Sequence, residues 1–303
     1  MPALDVSVVI PVLNAGRYIP SLLDAFRTQQ PDPPLEIILA DSSSTDDTCQ
    51  LVSDSPDVRV IPVKMFTHGS ARNLAAKQAK GDVIALLSQD ALPRDCTWLA
   101  RLIEPFADAS VAATFSRQVP HETAKPMEKY FYFTHFPDGV PVRRVKHEHR
   151  DLGFQDVFFS NVSAAIRRDV LLRYPFDEEV IMSEDQQFAR DVLEAGYATV
   201  YQPESEVTHS HDYSLKHVFQ RYFDSCYSLT KIFDTHDAGE SARIGLTYLF
   251  KEMRFMMRHH ITWLPYYFCF IWARSLGTLA GHYAERLPGN MARAFSMHKY
   301  YWD

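Results

Sequence analysis

A chain of 303 residues with 46% hydrophobic and 13% aromatic content has ample material for a large buried core, which excludes a disordered segment and a disulfide-stapled miniprotein. Its net charge of -7, from 31 Lys and Arg against 38 Asp and Glu, excludes a protein that coats nucleic acid over its whole surface. Cys49, Cys96, Cys226 and Cys269 form no CxxC pair, so they carry no zinc signal and fit a reducing, cytoplasmic setting.

Residues 6–10 form a β-branched run ended by Pro11 and Asn14, after which Tyr18, Leu22, Leu23 and Phe26 recur at helical spacing. With a strand pattern already at Val6, no secretory leader is expected ahead of it. Residues 35–40 predict a second strand, and the Asx and hydroxyl side chains of 41–47 predict the cap of a helix running through Val52. A third strand is expected over 58–63, a helix over 70–79 closed by Gly81, and a fourth strand over 83–87. Strands alternating with helices at this spacing predict an α/β fold, a Rossmann-like, mainly parallel sheet flanked by helices. Ligands of such sheets lie beyond the carboxyl ends of the strands, and Asn14, Asp41, Ser88, Gln89 and Asp90 fall there.

Residues 115–153, with aromatics at 130–133 and a basic run at 143–150, read as a long excursion over the site. The runs 157–159 and 162–165 are strand-like, Ser183 begins a helix to Glu194 with Gly196 as its C-cap, and 198–201 form a short strand leading to His209 and His211. From about residue 213 the pattern is helical. The expected division is therefore a catalytic domain over 1–212 and a helical C-terminal appendage over 213–303. Residues 245–303 hold seven Lys and Arg against three Asp and Glu, interleaved with aromatics. That composition suits an anionic membrane surface or a second copy of the chain. The longest apolar run, 261–273, is about 13 residues, short of the roughly 20 that span a bilayer as a helix.

Taken in order, residues 8–14, 38–48, 71–73, 81–90 and 183–190 resemble family 2 glycosyltransferases, the inverting enzymes of the GT-A fold, with coverage over roughly residues 5–212. Residues 66–73, 88–93, 182–186 and 209–214 are similar to the bacterial branch that uses dTDP-L-rhamnose. The resemblance implies a metal-dependent transfer of L-rhamnose from dTDP-β-L-rhamnose to a glycan or polyprenyl-diphosphate-linked acceptor. It places the chain in O-antigen and related cell-surface polysaccharide synthesis, peripheral to the inner face of the cytoplasmic membrane and without a nucleic-acid partner. A UDP-hexose donor on the same fold, and a non-catalytic nucleotide-sugar-binding protein at the membrane, are the alternative readings.

Carried over residue by residue, the resemblance implies a nucleotide site of Pro11, Asn14, Asp41, Ser43, Arg72, Ser88, Gln89 and Asp90. Asp41 is expected to accept the ring N–H of a pyrimidine, although local chemistry alone makes it a helix cap. The planar fork of Arg72 suits a phosphate. Residues 88–90 keep only the last carboxylate of the family's Asp-x-Asp, so an Mg²⁺ or Mn²⁺ ion needs a further ligand. An imidazole favours Mn²⁺, with His209 the first choice and His211 in reserve. Asp185 is the expected general base and Glu184 its neighbour, positioning acceptor or diphosphate, where position alone would read the pair as a capped first turn. Arg143, Arg144, Asn161 and His211 are expected as further diphosphate or acceptor contacts, the basic run serving equally well as a solvated loop. Ser163 is placed with Asn161 in the sugar pocket, while Trp98 and Trp263 read as packing or interfacial residues.

Overall fold

The computed structural model describes residues 4–30, 36–233 and 238–302. Leu35 of the expected second strand, and residues 234–237 and 303 of the expected helical region, lie outside the described residues. In chain order the first elements are β1 (Val6–Val12), α1 (Ile19–Arg27), β2 (Glu36–Asp41), β3 (Val58–Pro62), α2 (His68–Gln78), β4 (Val83–Leu87), β5 (Leu92–Pro93), α3 (Trp98–Ile103) and β6 (Val111–Val119). There follow α4 (Pro126–His135), β7 (Val142–Arg144), β8 (Ser163–Arg167), α5 (Arg168–Arg173), α6 (Glu184–Glu194), β9 (Ala198–Thr208), α7 (Leu215–Ile232), α8 (Ala238–His259), α9 (Leu264–His282) and α10 (Gly289–Phe295). They divide into two compact units, one of Met1–Val119, Phe136–Glu179 and Glu184–His209, the other of Pro120–His135, Val180–Ser183 and Ser210–Asp303.

All nine strands among the described residues belong to the first unit, in the order β3-β2-β1-β4-β8-β6-β9-β5 with β7 paired to β9. Val8, Val9, Ile38, Ile84 and Leu86 are fully buried on successive positions of β1, β2 and β4. This two-sided burial is why these runs are continuously apolar instead of alternating. The sheet is mixed: β1, β2, β3 and β4 run parallel, as do β6 and β9, but β8 is antiparallel to both β4 and β6. Because β8 reverses direction between them, β6 and β9 point the same way as β4. The carboxyl ends of β1, β2, β4, β6 and β9 therefore share one edge with the amino end of β8. The predicted α1 stripe of Leu22, Leu23 and Phe26 is buried against this sheet, and Trp98 is a fully buried packing residue whose Nε1 donates to Ser163 Oγ at 3.0 Å.

Several local expectations are corrected. No α-helix follows residues 41–47; there is only a single 3-10 turn at Gln50–Val52. Asp46 accepts the N–H groups of Gly16 and Thr48 and the Thr48 hydroxyl, so short polar side chains hold this segment to the loop after β1 in place of a helical turn. The helix expected over 70–79 starts earlier, at His68, behind a Thr67–Ser70 capping box. Residues 115–119 do not begin an excursion but close a nine-residue strand, Val111–Val119, inside the sheet. Residues 157–159 are loop, and β9 extends to 11 residues.

The second unit gathers more than the C-terminal helices. Residues 120–135 join it because the aromatic face of α4 packs on α8, with Tyr130 at 5.4 Å from Tyr248 and 5.1 Å from Phe255 between ring centroids. Helices α7 and α9 approach closely at two glycines. A Cβ on Gly277 or Gly281 would lie 2.3 Å from the carbonyl oxygen of Phe219 or Phe223. One face of α9 is left uncovered: Phe268, Trp272, Leu276, Leu279 and Tyr283 recur at helical spacing and are exposed. Among the described residues, no helix is long and apolar enough to cross a membrane.

Candidate functional site

The strand edge is built by loops that fasten one another. Asn14, just beyond β1, has a left-handed backbone (φ 51°), a conformation Asn tolerates better than most residues. Its N–H donates to Ser44 Oγ at 2.9 Å, and its Oδ1 accepts the N–H of Thr45 at 2.8 Å. Asp41 ends β2 in register with Val12 of β1, is buried, and accepts the Ser44 N–H at 3.2 Å on each oxygen. The intervening Ser43 is exposed and also left-handed (φ 66°). Pro11 lies beyond the last β4 pairing, at Val9, so its missing N–H breaks no ladder on that side. On the loop after β4, Gln89 clasps Leu13 from both ends of its amide, accepting N–H at 2.9 Å and donating to the carbonyl at 3.3 Å, while Ser88 N–H donates to Val162 O. The sequence-predicted residues from β1, β2 and β4 thus emerge together, and Gln89 ties two of their loops.

Asp90 stands next to His209, which follows β9 and is buried; Nε2 lies 3.6 Å from Asp90 Oδ1. Gln118 Nε2 donates to Ser160 Oγ at 2.9 Å, which turns its Oε1 toward His209 Nδ1 at 3.0 Å. His209 accordingly donates through Nδ1–H and presents the lone pair of Nε2 toward Asp90, the tautomer a metal ligand requires. A carboxylate oxygen and an imidazole nitrogen oriented by an outer amide fit Mn²⁺ or Mg²⁺ in donor chemistry. Gln118 was not among the expected site residues; its signal, a polar residue at a strand end, appears only once 111–119 is recognised as a strand. His211, two residues further along the chain, belongs to the second unit.

The paired acids open α6, where their carboxyls meet the segment before β8. Asn161 N–H donates to Asp185 Oδ2 at 3.2 Å and its side-chain Nδ2 to Glu184 Oε1 at 3.3 Å, while Gln186 N–H reaches Asp185 Oδ1 at 2.9 Å. Arg72 is the surprise of this region: it is only 6% exposed, with Nη1 2.9 Å from Glu184 Oε1 and 2.9 Å from the His68 carbonyl. One arm of its fork, Nη1, is thus taken by a protein carboxylate, while its buried Nε has no hydrogen-bond partner among the described residues. The environments separate the two acids. Burial opposes ionisation of Glu184, but the Arg72 guanidinium holds its carboxyl below the usual range. Burial, reinforced by the neighbouring Glu184 charge, pushes Asp185 up to about 7.

Three expectations fall away from this edge. Arg143 and Arg144 pair with Val200 and Thr199 in the amino-terminal half of β9, and Arg143 binds Asp108 at 3.2 Å and Ser110 at 2.7 Å ahead of β6. Arg144 lies over the Phe115 ring at 5.4 Å. Both arginines therefore sit toward the amino ends of the parallel strands, opposite the ligand edge. Ser163 is buried within the sheet, bonded to Trp98 and to Ser116 at 2.7 Å.

The chain matches the model of glycosyl transferase family 2 over residues 7–174. The O-antigen chain rhamnosyltransferase RfbN of Salmonella typhimurium is 34% identical, across 99% of this chain and 96% of that protein. The O-antigen chain rhamnosyltransferase WbaN of Salmonella anatum is 33% identical, across 98% and 95%. Among solved structures, the mannosyltransferase PcManGT from Pyrobaculum calidifontis, in complex with GDP-Man and Mn²⁺, is similar with a TM-score of 0.59 at 18% identity, covering 99% of this chain and 85% of that one, a likeness of fold.

Proposed function

The chain belongs to glycosyl transferase family 2 and has its GT-A fold, and from that premise we propose that it transfers L-rhamnose from dTDP-β-L-rhamnose, with inversion, to a glycan or lipid-linked acceptor of cell-surface polysaccharide. The two Salmonella relatives, similar over nearly their whole lengths, support rhamnose as the sugar. The observation that carries the mechanism is the half-buried Asp185 carboxyl, tethered by Asn161 N–H and raised to about 7 beside Glu184, whose carboxyl the Arg72 guanidinium holds below the usual range.

In this reading Asp185 accepts the proton of the acceptor hydroxyl as that oxygen attacks the anomeric carbon. The bond from that carbon to the diphosphate breaks as the new glycosidic bond forms on the opposite face, so one displacement inverts the centre and releases dTDP. A carboxyl with a raised pKa is a stronger base than a solvated Asp yet still ionised above neutrality. Glu184 and Arg72 fix the start of α6 and keep a negative charge next to the base. Asp41 takes the pyrimidine ring N–H, with Pro11, Asn14, Ser43, Ser88 and Gln89 forming the wall around it. Asp90 and His209 would hold a divalent cation, His211 standing in reserve. When bound, such an ion neutralises charge developing on the departing diphosphate. The exposed α9 face supports a peripheral place at the inner face of the cytoplasmic membrane, where a polyprenyl-diphosphate acceptor would lie.

The test is donor turnover by the purified chain with Mn²⁺. dTDP-rhamnose should be consumed and UDP-glucose should not; preference for UDP-glucose would overturn the donor assignment. Asp185→Asn should keep dTDP affinity while losing roughly 10²–10⁴-fold in turnover. Wild-type turnover in that variant would remove Asp185 from its role.

A further inference from the structure

The second unit encloses a cavity of about 50 Å³, walled by α4, α7, α8, α9 and the segment after His209. Glu128, Arg221, Tyr222, Tyr248, Glu252 and Arg274 line it. Glu252 is 1% exposed and receives Arg274 Nη1 at 3.2 Å, Arg274 Nη2 at 2.7 Å and the Tyr267 hydroxyl at 2.9 Å. A buried ion pair of this kind is weak evidence for stability, since packed apolar residues serve folding as well or better. A bundle required only to fold would not need it. Arg221 reaches the Tyr213 hydroxyl at a long 3.4 Å.

The composition of the lining selects the ligand class. Two guanidinium groups face two carboxyls, one of which, Glu128, burial raises to about 7, so near neutrality the lining carries little surplus charge to hold a phosphate. It offers instead donors and acceptors in alternation against aromatic walls. Its volume admits roughly three to five waters, comparable to the hydroxyl groups along one edge of a sugar ring. We propose that this cavity is a carbohydrate subsite that receives the hydroxyl-bearing edge of one neutral pyranose of the acceptor glycan. Carboxylates accept from, and guanidinium groups donate to, vicinal hydroxyls, while aromatic rings cover the C–H face of the sugar. His211 also lines the cavity. The inference rests on the glycosyltransferase reading.

Saturation-transfer NMR on the full chain tests it, with methyl glycosides of L-rhamnose, D-mannose, D-galactose and D-glucose as probes. At least one should bind the wild type, and Arg221→Gln and Glu128→Gln should each weaken that binding about tenfold while dTDP affinity, measured in the same samples, stays unchanged. The dTDP measurement reports an intact fold. No glycoside signal from the wild type, or equal signal in both variants, would overturn the subsite. Loss of the glycosyltransferase reading would look different: neither dTDP binding nor dTDP-rhamnose turnover in the wild type, whatever the glycosides do.

Discussion

Asp185 and Glu184 are consecutive residues of one helical turn, yet burial and a single guanidinium drive their carboxyls to opposite sides of the normal range. Because Asp185 must be ionised to take a proton, kcat/KM should rise as pH increases through about 7, the region to which burial and Glu184 move it. A profile flat from pH 5.5 to 8 would contradict this. The same shift acts on stability in the reverse sense. The folded state retains a proton that the unfolded chain releases from the ordinary aspartate value of about 3.8 upward, so the stabilisation from this group is present at low pH and lost as pH rises toward about 7. Arg72 makes the complementary case. Its pair with Glu184 has side chains only 7% and 8% exposed, so Arg72→Met should cost about 3–5 kcal/mol by stranding a buried charge. Adding Glu184→Gln should recover much of that loss in urea denaturation. A surface-like loss below about 1 kcal/mol would show that the pair is not buried in solution. At this scale the polar element ends where Asp41, Asp90, Asp185 and His209 stand were legible in the local pattern, while the roles expected of them came from the family resemblance. The partner of Arg72 was not, since Glu184 lies 112 residues away.

Among the elements, α7 and α9 depend on close approach more than on apolar bulk. Gly277 and Gly281 let α9 touch the backbone of α7 at the Phe219 and Phe223 carbonyls. Gly281→Ala should therefore destabilise by about 1–3 kcal/mol through overpacking, even though Ala is the better helix former. A gain in melting temperature would show that the helices are free to separate. Elsewhere, element identity followed periodicity where long apolar runs met clear breakers, as in β1, α1, β2 and β4. It failed where competing polar contacts came from afar: residues 41–52 carry the signature of a capped helix, but the loop after β1 uses the same side chains as fasteners. Strand β6 escaped recognition because its apolar start was separated from the polar Ser116, Arg117 and Gln118, which become strand residues only when β8 and β9 supply partners.

For the molecule as a whole, the distribution of charge and apolar surface carries a prediction about location. The α9 face that includes Trp272, 67% exposed, and Leu276, 50% exposed, is accompanied in the same unit by exposed Lys251, Arg254 and Arg258 on α8. Binding to vesicles containing anionic lipid should weaken with added salt and fall further with Trp272→Asp and Leu276→Asp together. Unchanged vesicle binding by the double variant would assign the attraction to another surface, and salt-independent absence of binding would remove the membrane from the proposal.

The sequence alone determined the alternation of strands and helices, the polar residues that end the strands, and the family resemblance those residues carry, because each of these is written in neighbours along the chain. Only the tertiary structure decided that β8 runs against its neighbours, that Arg72 faces Glu184, that Gln118 orients His209, and that Arg143 and Arg144 stand at the far edge of the sheet. Strand direction and pairing are set by packing between segments a hundred residues apart, and no local pattern encodes them.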